Sequence, residues 1–254
     1  MKTAIILGIT SDIGRALGER LLRDEWYVVG MASRTIERVK DWDHPNLVLT
    51  NDMALSVVPA WDLLISAVGT QQPIGPFFDV DFDEWEDSVD TNFVAQVRFL
   101  HDGWPRRRQD AVDIMFFAGG GTNQAFVNYS AYCVSKIALI KMAEQIHAET
   151  KEANCFVIGP GYVKTRIHDE TLKAGPEHAG ANYARTVEQL KGEGTSMDDI
   201  YAHMRWCMAQ GREVAGGRNF STVHDPWRNG GEALAHDLRN DPDFYRLRRQ
   251  QVPL

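Results

Sequence analysis

Residues 3–14 read Thr3-Ala4-Ile5-Ile6-Leu7-Gly8-Ile9-Thr10-Ser11-Asp12-Ile13-Gly14, and an amphipathic run follows. The apolar run before the first glycine is typical of a short strand buried in a parallel sheet. Gly8 would allow a tight turn and Gly14 a close approach of the next helix, whose N-terminus would offer free N–H groups to a pyrophosphate. Asp12 stands where a middle glycine is common, so a plain strand–turn–helix connection without a ligand is the alternative.

The alternation of apolar runs and helical segments continues along the whole chain. Strands are predicted at residues 3–7, 27–32, 47–50, 61–69, 112–117 and 154–158, with a seventh expected at 216–223. Helices are predicted at residues 15–23, 83–101, 129–151, 182–191, 197–209 and 232–240. Strands that alternate with helices imply crossover connections and a parallel sheet. We therefore predict a Rossmann-like, doubly wound α/β fold with a mostly parallel sheet of about seven strands and helices on both faces.

Composition excludes several classes of protein. The chain has 254 residues, of which 44% are hydrophobic and 24% charged, and its formal net charge is −8. This charge argues against nucleic acid or an anionic membrane as the main partner. No apolar run approaches the ~18 residues of a membrane span, and residues 4–7 are too quickly interrupted for a signal peptide. Three cysteines without CxxC spacing predict reduced thiols in a cytoplasmic protein, and eight histidines without ligand spacing give no support for a metal site.

A second candidate site lies in the predicted helix that begins Tyr129-Ser130-Ala131-Tyr132-Cys133-Val134-Ser135-Lys136-Ile137-Ala138-Leu139. Tyr132 and Lys136 are four residues apart, so their side chains share one face of the helix. A phenol has an ordinary pKa of about 10, and a neighbouring ammonium group would lower that pKa towards neutrality. The pair would then act as a general acid and base. An ordinary exposed helical pair has the same spacing.

The end of the second predicted strand carries Ser33 and Arg34. In doubly wound folds this position contacts the adenosine ribose, where an acidic residue binds the 2′-hydroxyl of NAD. Because no acidic residue is present, we predict that Arg34 pairs with a 2′-phosphate and that NADP is preferred, with NAD as the alternative. A simple surface arginine is the competing interpretation.

Together these residues resemble the short-chain dehydrogenase/reductase superfamily, in its short single-domain branch. The resemblance covers residues 3–165 well and the remainder loosely. Its landmarks occur in the family's order. They are the turn Gly8-x-x-x-Asp12-Ile13-Gly14, the segment Ser66-Ala67-Val68-Gly69 in place of Asn-Asn-Ala-Gly, the pair Tyr132-x-x-x-Lys136 in a Tyr-x-x-Ser-Lys-x-Ala-Leu context, and Pro160-Gly161-x-Val163-x-Thr165.

The resemblance implies an oxidoreductase that acts on a small carbonyl compound or alcohol. Tyr132 would be the general acid in reduction and the base in the reverse direction, and Lys136 would bind the nicotinamide ribose and hold down the pKa of Tyr132. Asn92 would hold a water that links Lys136 to solvent. The expected cofactor contacts are Gly8, Thr10, Ser11, Asp12, Ile13, Gly14, Ser33, Arg34, Asp52, Met53, Ala67, Val68, Gly69, Tyr132, Lys136, Pro160, Gly161, Val163 and Thr165.

The resemblance also predicts the organisation of the chain. No linker divides it, so residues 1–254 are expected to form a single domain. Residues 167–211 occupy the family's substrate loop, and their glycines would suit a mobile lid, although a polar surface insertion has the same composition. Members of the family usually associate through the helices around residues 83–101 and 129–150, so a homodimer or homotetramer is expected.

The chain departs from the family at the serine that polarises the substrate carbonyl shortly before the tyrosine. Residues 118–121 are Ala-Gly-Gly-Gly, and the first hydroxyl group belongs to Thr122. Loss of such a donor commonly lowers the rate on the order of 10²–10³. Either the backbone around Gly119 or Thr122 replaces the serine, with Tyr162 also near the substrate, or the chain binds NADP without efficient turnover. The first case predicts a working reductase or dehydrogenase, and the second a sensor or scaffold protein.

Overall fold

The computed structural model describes residues 1–32, 35–51, 59–109 and 111–249. Within these ranges seven strands form one sheet in the order β3-β2-β1-β4-β5-β6-β7, and each neighbouring pair is parallel. The strands are β1 (Thr3–Leu7), β2 (Tyr27–Met31), β3 (Leu47–Thr50), β4 (Leu63–Ser66), β5 (Val112–Phe117), β6 (Ala153–Gly159) and β7 (Asn219–Ser221). The predicted doubly wound, Rossmann-like α/β fold is confirmed.

Eight α-helices connect or follow these strands in the described part of the chain. They are α1 (Asp12–Arg23), α2 (Phe82–Val89), α3 (Ala95–Gly103), α4 (Ser130–Glu149), α5 (Ile167–Ala179), α6 (Ala181–Gln189), α7 (Met197–Val214) and α8 (Glu232–Asn240). Strands β1, β4 and β6 are almost wholly buried, because helices cover both faces of the sheet, whereas the edge strand β3 is partly exposed. Short 3₁₀ turns occur at Ile36–Val39 and Trp104–Arg106.

Two hydrophobic cores lie on opposite faces of the sheet. Successive side chains of a strand point to opposite faces, so Ala4 and Ile6 of β1 belong to one core and Ile5 and Leu7 to the other. Helices α1, α7 and α8 contribute to the first core, and α3 and α4 contribute to the second. The apolar runs seen in the sequence are therefore buried on both sides, as a parallel sheet requires.

The strand order reverses at β1, which pairs with β2 on one side and with β4 on the other. In doubly wound sheets this reversal opens a crevice at the carboxyl ends of the strands, where ligands bind. The turns that follow β1, β4, β5 and β6 all meet at this edge and form the walls of one cleft.

The helix expected at residues 83–101 is interrupted. A π-helical turn at Asp90–Val94 separates α2 from α3. Such turns insert an extra residue into a helix and often occur at functional sites. The turn contains Asn92, whose poor helix propensity was visible in the sequence and whose side chain is fully buried in the structure.

Residues 167–211 fold into α5, α6 and most of α7. The sequence did not predict α5, because Gly175 and Pro176 interrupt its helical pattern. In the structure Gly175 adopts a positive φ of 75° and marks a kink in this helix. The last helix, α8, has the predicted bounds Glu232–Asn240.

Candidate functional site

The turn between β1 and α1 presents a helix N-terminus to the cleft. Gly8 adopts a φ of 75°, a left-handed conformation that glycine enters without strain. Ser11 caps the helix, and its Oγ accepts a hydrogen bond of 3.0 Å from the backbone N of Gly14. A Cβ atom at Gly14 would lie 2.3 Å from the carbonyl oxygen of Gly8, so this position also requires glycine. The turn has the form of an anion-binding site.

Asp12, at the place of the usual middle glycine, reaches across the cleft to the loop after β6. Its carboxylate accepts a hydrogen bond of 2.7 Å from the backbone N of Arg166 and one of 2.8 Å from its Nε. The glycine turn and the β6–α5 loop are thus linked by an ion pair.

Lys136 is held on α4 with its ammonium group below the end of β4. Its Nζ donates a hydrogen bond of 3.2 Å to the carbonyl oxygen of Val68, and the side chain is almost completely buried. Burial penalises the charged form and lowers the pKa of Lys136 to about 8. The amine–ammonium equilibrium therefore falls close to neutral pH.

Tyr132 lies one helical turn before Lys136, whose Nζ is 5.7 Å from the centre of the phenol ring. Burial is the largest influence on this phenol and raises its pKa above the ordinary value, with smaller contributions from Cys133 and Glu170. The sequence had led us to expect the opposite shift from the lysine. The structure differs because burial removes the phenolate from water, and this desolvation dominates the pKa of Tyr132.

Gly119 occupies the place beside Tyr132 where the family resemblance leads us to expect a serine. Thr122, the nearest hydroxyl residue, donates a hydrogen bond of 3.0 Å from Oγ1 to the carbonyl oxygen of Gly119. Its proton is thus used within the turn in this structure. The substrate roles of Gly119 and Thr122 stay predictions.

The side chain of Asn92 holds the loop after β4 in place through hydrogen bonds. Its Oδ1 accepts a hydrogen bond from the backbone N of Thr70, and its Nδ2 donates to the carbonyl oxygen of the same residue, both at 2.9 Å. Its Nδ2 also donates to Ser88 Oγ at 3.1 Å. The backbone carbonyl oxygen of Asn92 accepts a hydrogen bond from Gln96 Nε2 at 2.7 Å. A role in holding a water between Lys136 and solvent stays a prediction.

The loop after β6 forms the opposite wall. Val163 is buried and pairs with Gly194 in a short bridge, and Thr165 Oγ1 donates to the carbonyl oxygen of Val163 at 3.3 Å. The ring of Tyr162 packs 4.9 Å from that of His168. Its buried hydroxyl group has no hydrogen-bond partner within the part of the chain that the structure describes.

Helix α5 closes one side of the cleft through Glu170. This carboxylate accepts hydrogen bonds from Thr70 Oγ1 at 3.1 Å and from the backbone N of Gln71 at 2.5 Å. Burial raises the pKa of Glu170, which the hydrogen bonds from Gln71 and Thr70 partly oppose. The segment predicted as a substrate loop is thus attached to the loop after β4.

Most of the predicted site residues meet in one cleft of about 1570 Å³. Those that line it are Gly8, Thr10, Ser11, Asp12, Ile13, Ala67, Val68, Gly69, Gly119, Thr122, Tyr132, Lys136, Pro160, Gly161, Tyr162, Val163 and Thr165. Gly14 and Asn92 do not line the cleft but lie next to residues that do. Ser33, Arg34, Asp52 and Met53 lie outside the described residues.

The sequence analysis missed several charged residues of the cleft, among them Arg38, Arg166 and Glu170. Arg166 follows Thr165 directly, so its position next to a recognised motif was a usable signal. Glu170 lies one helical turn later on α5, a helix that the sequence did not predict. Arg38 lies in the 3₁₀ turn after β2 and offers an exposed cation to the same cleft.

Two further classes of site have no support in the described residues. No group of three or more histidine, cysteine, aspartate or glutamate side chains is arranged to hold a metal ion there. None of the helices described is long and apolar enough to cross a membrane.

Known proteins resemble this chain at the level of sequence. A family model described as short chain dehydrogenase matches residues 48–175. An uncharacterized oxidoreductase of Schizosaccharomyces pombe is 28% identical over 134 residues, which cover 52% of this chain and only 54% of that protein. The NADPH-dependent pterin aldehyde reductase of Arabidopsis thaliana is 24% identical over 188 residues, covering 65% and 76% of the two chains.

Solved structures share the fold. A short chain dehydrogenase/reductase from Saccharomyces cerevisiae gives a TM-score of 0.79 at 18% identity and covers 93% of this chain and 99% of that one. A short chain dehydrogenase from Shigella flexneri in complex with NADP gives a TM-score of 0.69 at 17% identity, covering 87% and 96%. At these identities the likeness concerns the fold and leaves substrate and cofactor open.

Proposed function

Because this chain belongs to the short chain dehydrogenase family, we propose that it is an NADP(H)-dependent oxidoreductase that reduces a carbonyl group or oxidises a secondary alcohol. One observation carries the proposal. Tyr132 and Lys136 line the same cleft as the glycine turn before α1. A proton donor and a phosphate-binding turn on one cleft are what a dinucleotide-dependent reduction needs.

The residues present fit a dinucleotide. At Gly8 a Cβ atom would lie 2.8 Å from the carbonyl oxygen of Ala67. The backbone of the glycine turn and the backbone that follows β4 therefore lie close together, with no side chain of residue 8 between them. The turn and the N-terminus of α1 would hold the diphosphate, Lys136 the nicotinamide ribose and Thr165 the carboxamide. When bound, the cofactor supplies the hydride.

The residues of the chain supply the proton. In reduction, Tyr132 donates its hydroxyl proton to the substrate oxygen, which leaves a phenolate and an alcohol product. The buried ammonium group of Lys136 stabilises that phenolate, and a proton from solvent then restores the phenol. Because burial raises the pKa of Tyr132, its hydroxyl keeps the proton near neutral pH. The protonated phenol is the form that carbonyl reduction requires.

NADP is the proposed cofactor on the basis of charge. Arg34 would pair with the 2′-phosphate, and the exposed Arg38 in the same cleft adds a second positive charge near the end of β2. The Arabidopsis relative is named as NADPH-dependent, and the Shigella neighbour was solved with NADP. Michaelis constants for NADPH and NADH in the wild type and in Arg34→Ala test the assignment. An unchanged preference in the variant would contradict it.

A second candidate function is NADP binding without turnover, in a sensor or scaffold protein. The observation that favours it is the close approach of Tyr132 to Gly119, where the carbonyl-polarising serine is absent. Turnover instead requires a substitute donor, and the exposed backbone of the glycine run is the candidate.

Two measurements separate the functions. Titration of NADPH fluorescence reports binding, and a panel of ketones, aldehydes and sugars reports turnover. We expect binding with turnover, and Tyr132→Phe should lower kcat by about 10²–10⁴ while leaving NADPH affinity largely intact. Binding without turnover on any substrate would favour the sensor. The expected homodimer or homotetramer is tested separately by light scattering.

A further inference from the structure

Arg166 makes three hydrogen bonds to the glycine turn. Its backbone N and Nε both donate to the carboxylate of Asp12, and its Nη2 donates to the carbonyl oxygen of Thr10 at 2.6 Å. All three residues line the cleft beside the N-terminus of α1. We propose that Arg166 binds the diphosphate of the dinucleotide and that Asp12 positions it for this role. The inference rests on the proposed function, because it assigns a ligand of the same cleft.

The electrostatics of the turn require a cation at this place. Asp12 is the first residue of α1, and its carboxylate lies where a bound diphosphate would be attracted by the helix N-terminus. An unpaired carboxylate there would repel the ligand. The guanidinium group of Arg166 lies 2.8 Å from Asp12 and neutralises that charge. The substitution of the middle glycine by aspartate is thus compensated by a residue outside the glycine motif.

The guanidinium group also retains hydrogen-bonding capacity. An arginine side chain has five N–H donors in a planar fork that matches phosphate oxygens. Asp12 and Thr10 engage Nε and Nη2, whereas Nη1 makes no hydrogen bond to the residues that the structure describes. With 49% of its side chain exposed, Arg166 is accessible to a ligand in the cleft. Held on two sides, it loses little side-chain freedom when it binds phosphate.

The first experiment compares two cofactors. NADPH and NADH both contain the diphosphate and differ in the 2′-phosphate, so Arg166→Ala should raise Kd for both by the same factor, about tenfold for a half-exposed charged hydrogen bond. Arg15→Ala is the matched control. Arg15 forms an ion pair of 3.0 Å with Glu19 on the same helix, has a similar exposure of 51% and lies outside the cleft. It should leave both Kd values unchanged.

The second experiment removes the carboxylate as well. In Arg166→Ala, Asp12 keeps the hydrogen bond from the backbone N of residue 166 but loses its guanidinium partner. The negative charge beside the diphosphate is then uncompensated, so the double variant with Asp12→Ala should bind NADPH more tightly than Arg166→Ala alone. A merely structural ion pair predicts the reverse, because each loss would weaken the same turn. Thermal unfolding of each variant shows whether the fold is retained.

The outcomes distinguish the proposed function from the proposed role of Arg166. If the wild type binds neither NADPH nor NADH, the proposed function fails. If the wild type binds and Arg166→Ala binds equally well or more tightly, the proposed function stands and the role of Arg166 is overturned. A loss confined to NADPH would also overturn it, because Arg166 would then bind the 2′-phosphate. A double variant that is weaker than Arg166→Ala would overturn the positioning role of Asp12.

Discussion

The hydroxyl group of Tyr132 fills the space that a side chain on Gly119 would need. A Cβ atom built at Gly119 would lie 2.2 Å from the Tyr132 hydroxyl oxygen and 2.5 Å from the ring carbon that carries it. A Cβ atom is essentially never found this close to a non-bonded atom. Residue 119 must therefore be glycine if Tyr132 keeps its position. With Tyr132 in this position, a serine at residue 119 cannot be accommodated.

Restoring the serine should therefore harm this protein. Gly119→Ser and Gly119→Ala both add a Cβ atom that displaces Tyr132, and the overpacking should lower the free energy of unfolding by about 1–3 kcal/mol. We expect kcat to fall in both variants, with NADPH affinity less affected. The comparison of the two variants supplies the control, since only serine adds a donor. A Gly119→Ser enzyme that is faster than the wild type would contradict this prediction.

Asn92 should contribute to stability as well as to the site. Asn92→Ala removes three hydrogen bonds from a fully buried side chain, two to Thr70 and one to Ser88. The free energy of unfolding in urea should fall by about 2–4 kcal/mol, given about 1 kcal/mol for each hydrogen bond and the groups left unpaired. Ser88→Ala removes one of these bonds and should cost only about 1 kcal/mol. If Asn92→Ala lowers kcat at unchanged stability, the residue acts only in the proton pathway.

Features that depend on local spacing were predictable from the sequence. The pair Tyr132 and Lys136 shares a helix face because four residues make about one turn. The π-helical turn around Asn92 was not predicted, because residues 83–101 were expected to form one continuous helix. The ion pair of Asp12 and Arg166 joins residues 154 apart in the chain, so no local pattern could indicate it. The pKa shift of Tyr132 was also beyond the sequence, because it depends on how deeply the fold buries the phenol.

The burial of Lys136 should make stability depend on pH in a specific direction. Burial lowers its pKa from 10.5 to about 8 in the folded chain. Between these values the unfolded chain holds a proton that the folded chain has released, so the free energy of unfolding rises with pH across this window. Below about pH 8 both states are protonated, and the buried charge costs about 3 kcal/mol.

Replacing Lys136 by methionine should remove this cost. Lys136→Met loses activity but should be more stable than the wild type at pH 7, and the difference should shrink as the pH approaches 10.5, where the wild-type lysine is uncharged in the folded state. Urea unfolding at pH 7, 8, 9 and 10 measures it. Lys141→Met is the control, because Lys141 lies on the same helix, is exposed and pairs with Glu144. Its effect should change little over that range. If Lys136→Met is less stable than the wild type at pH 7, and the gap is constant with pH, the packing and the hydrogen bond to Val68 outweigh the cost of burying the charge.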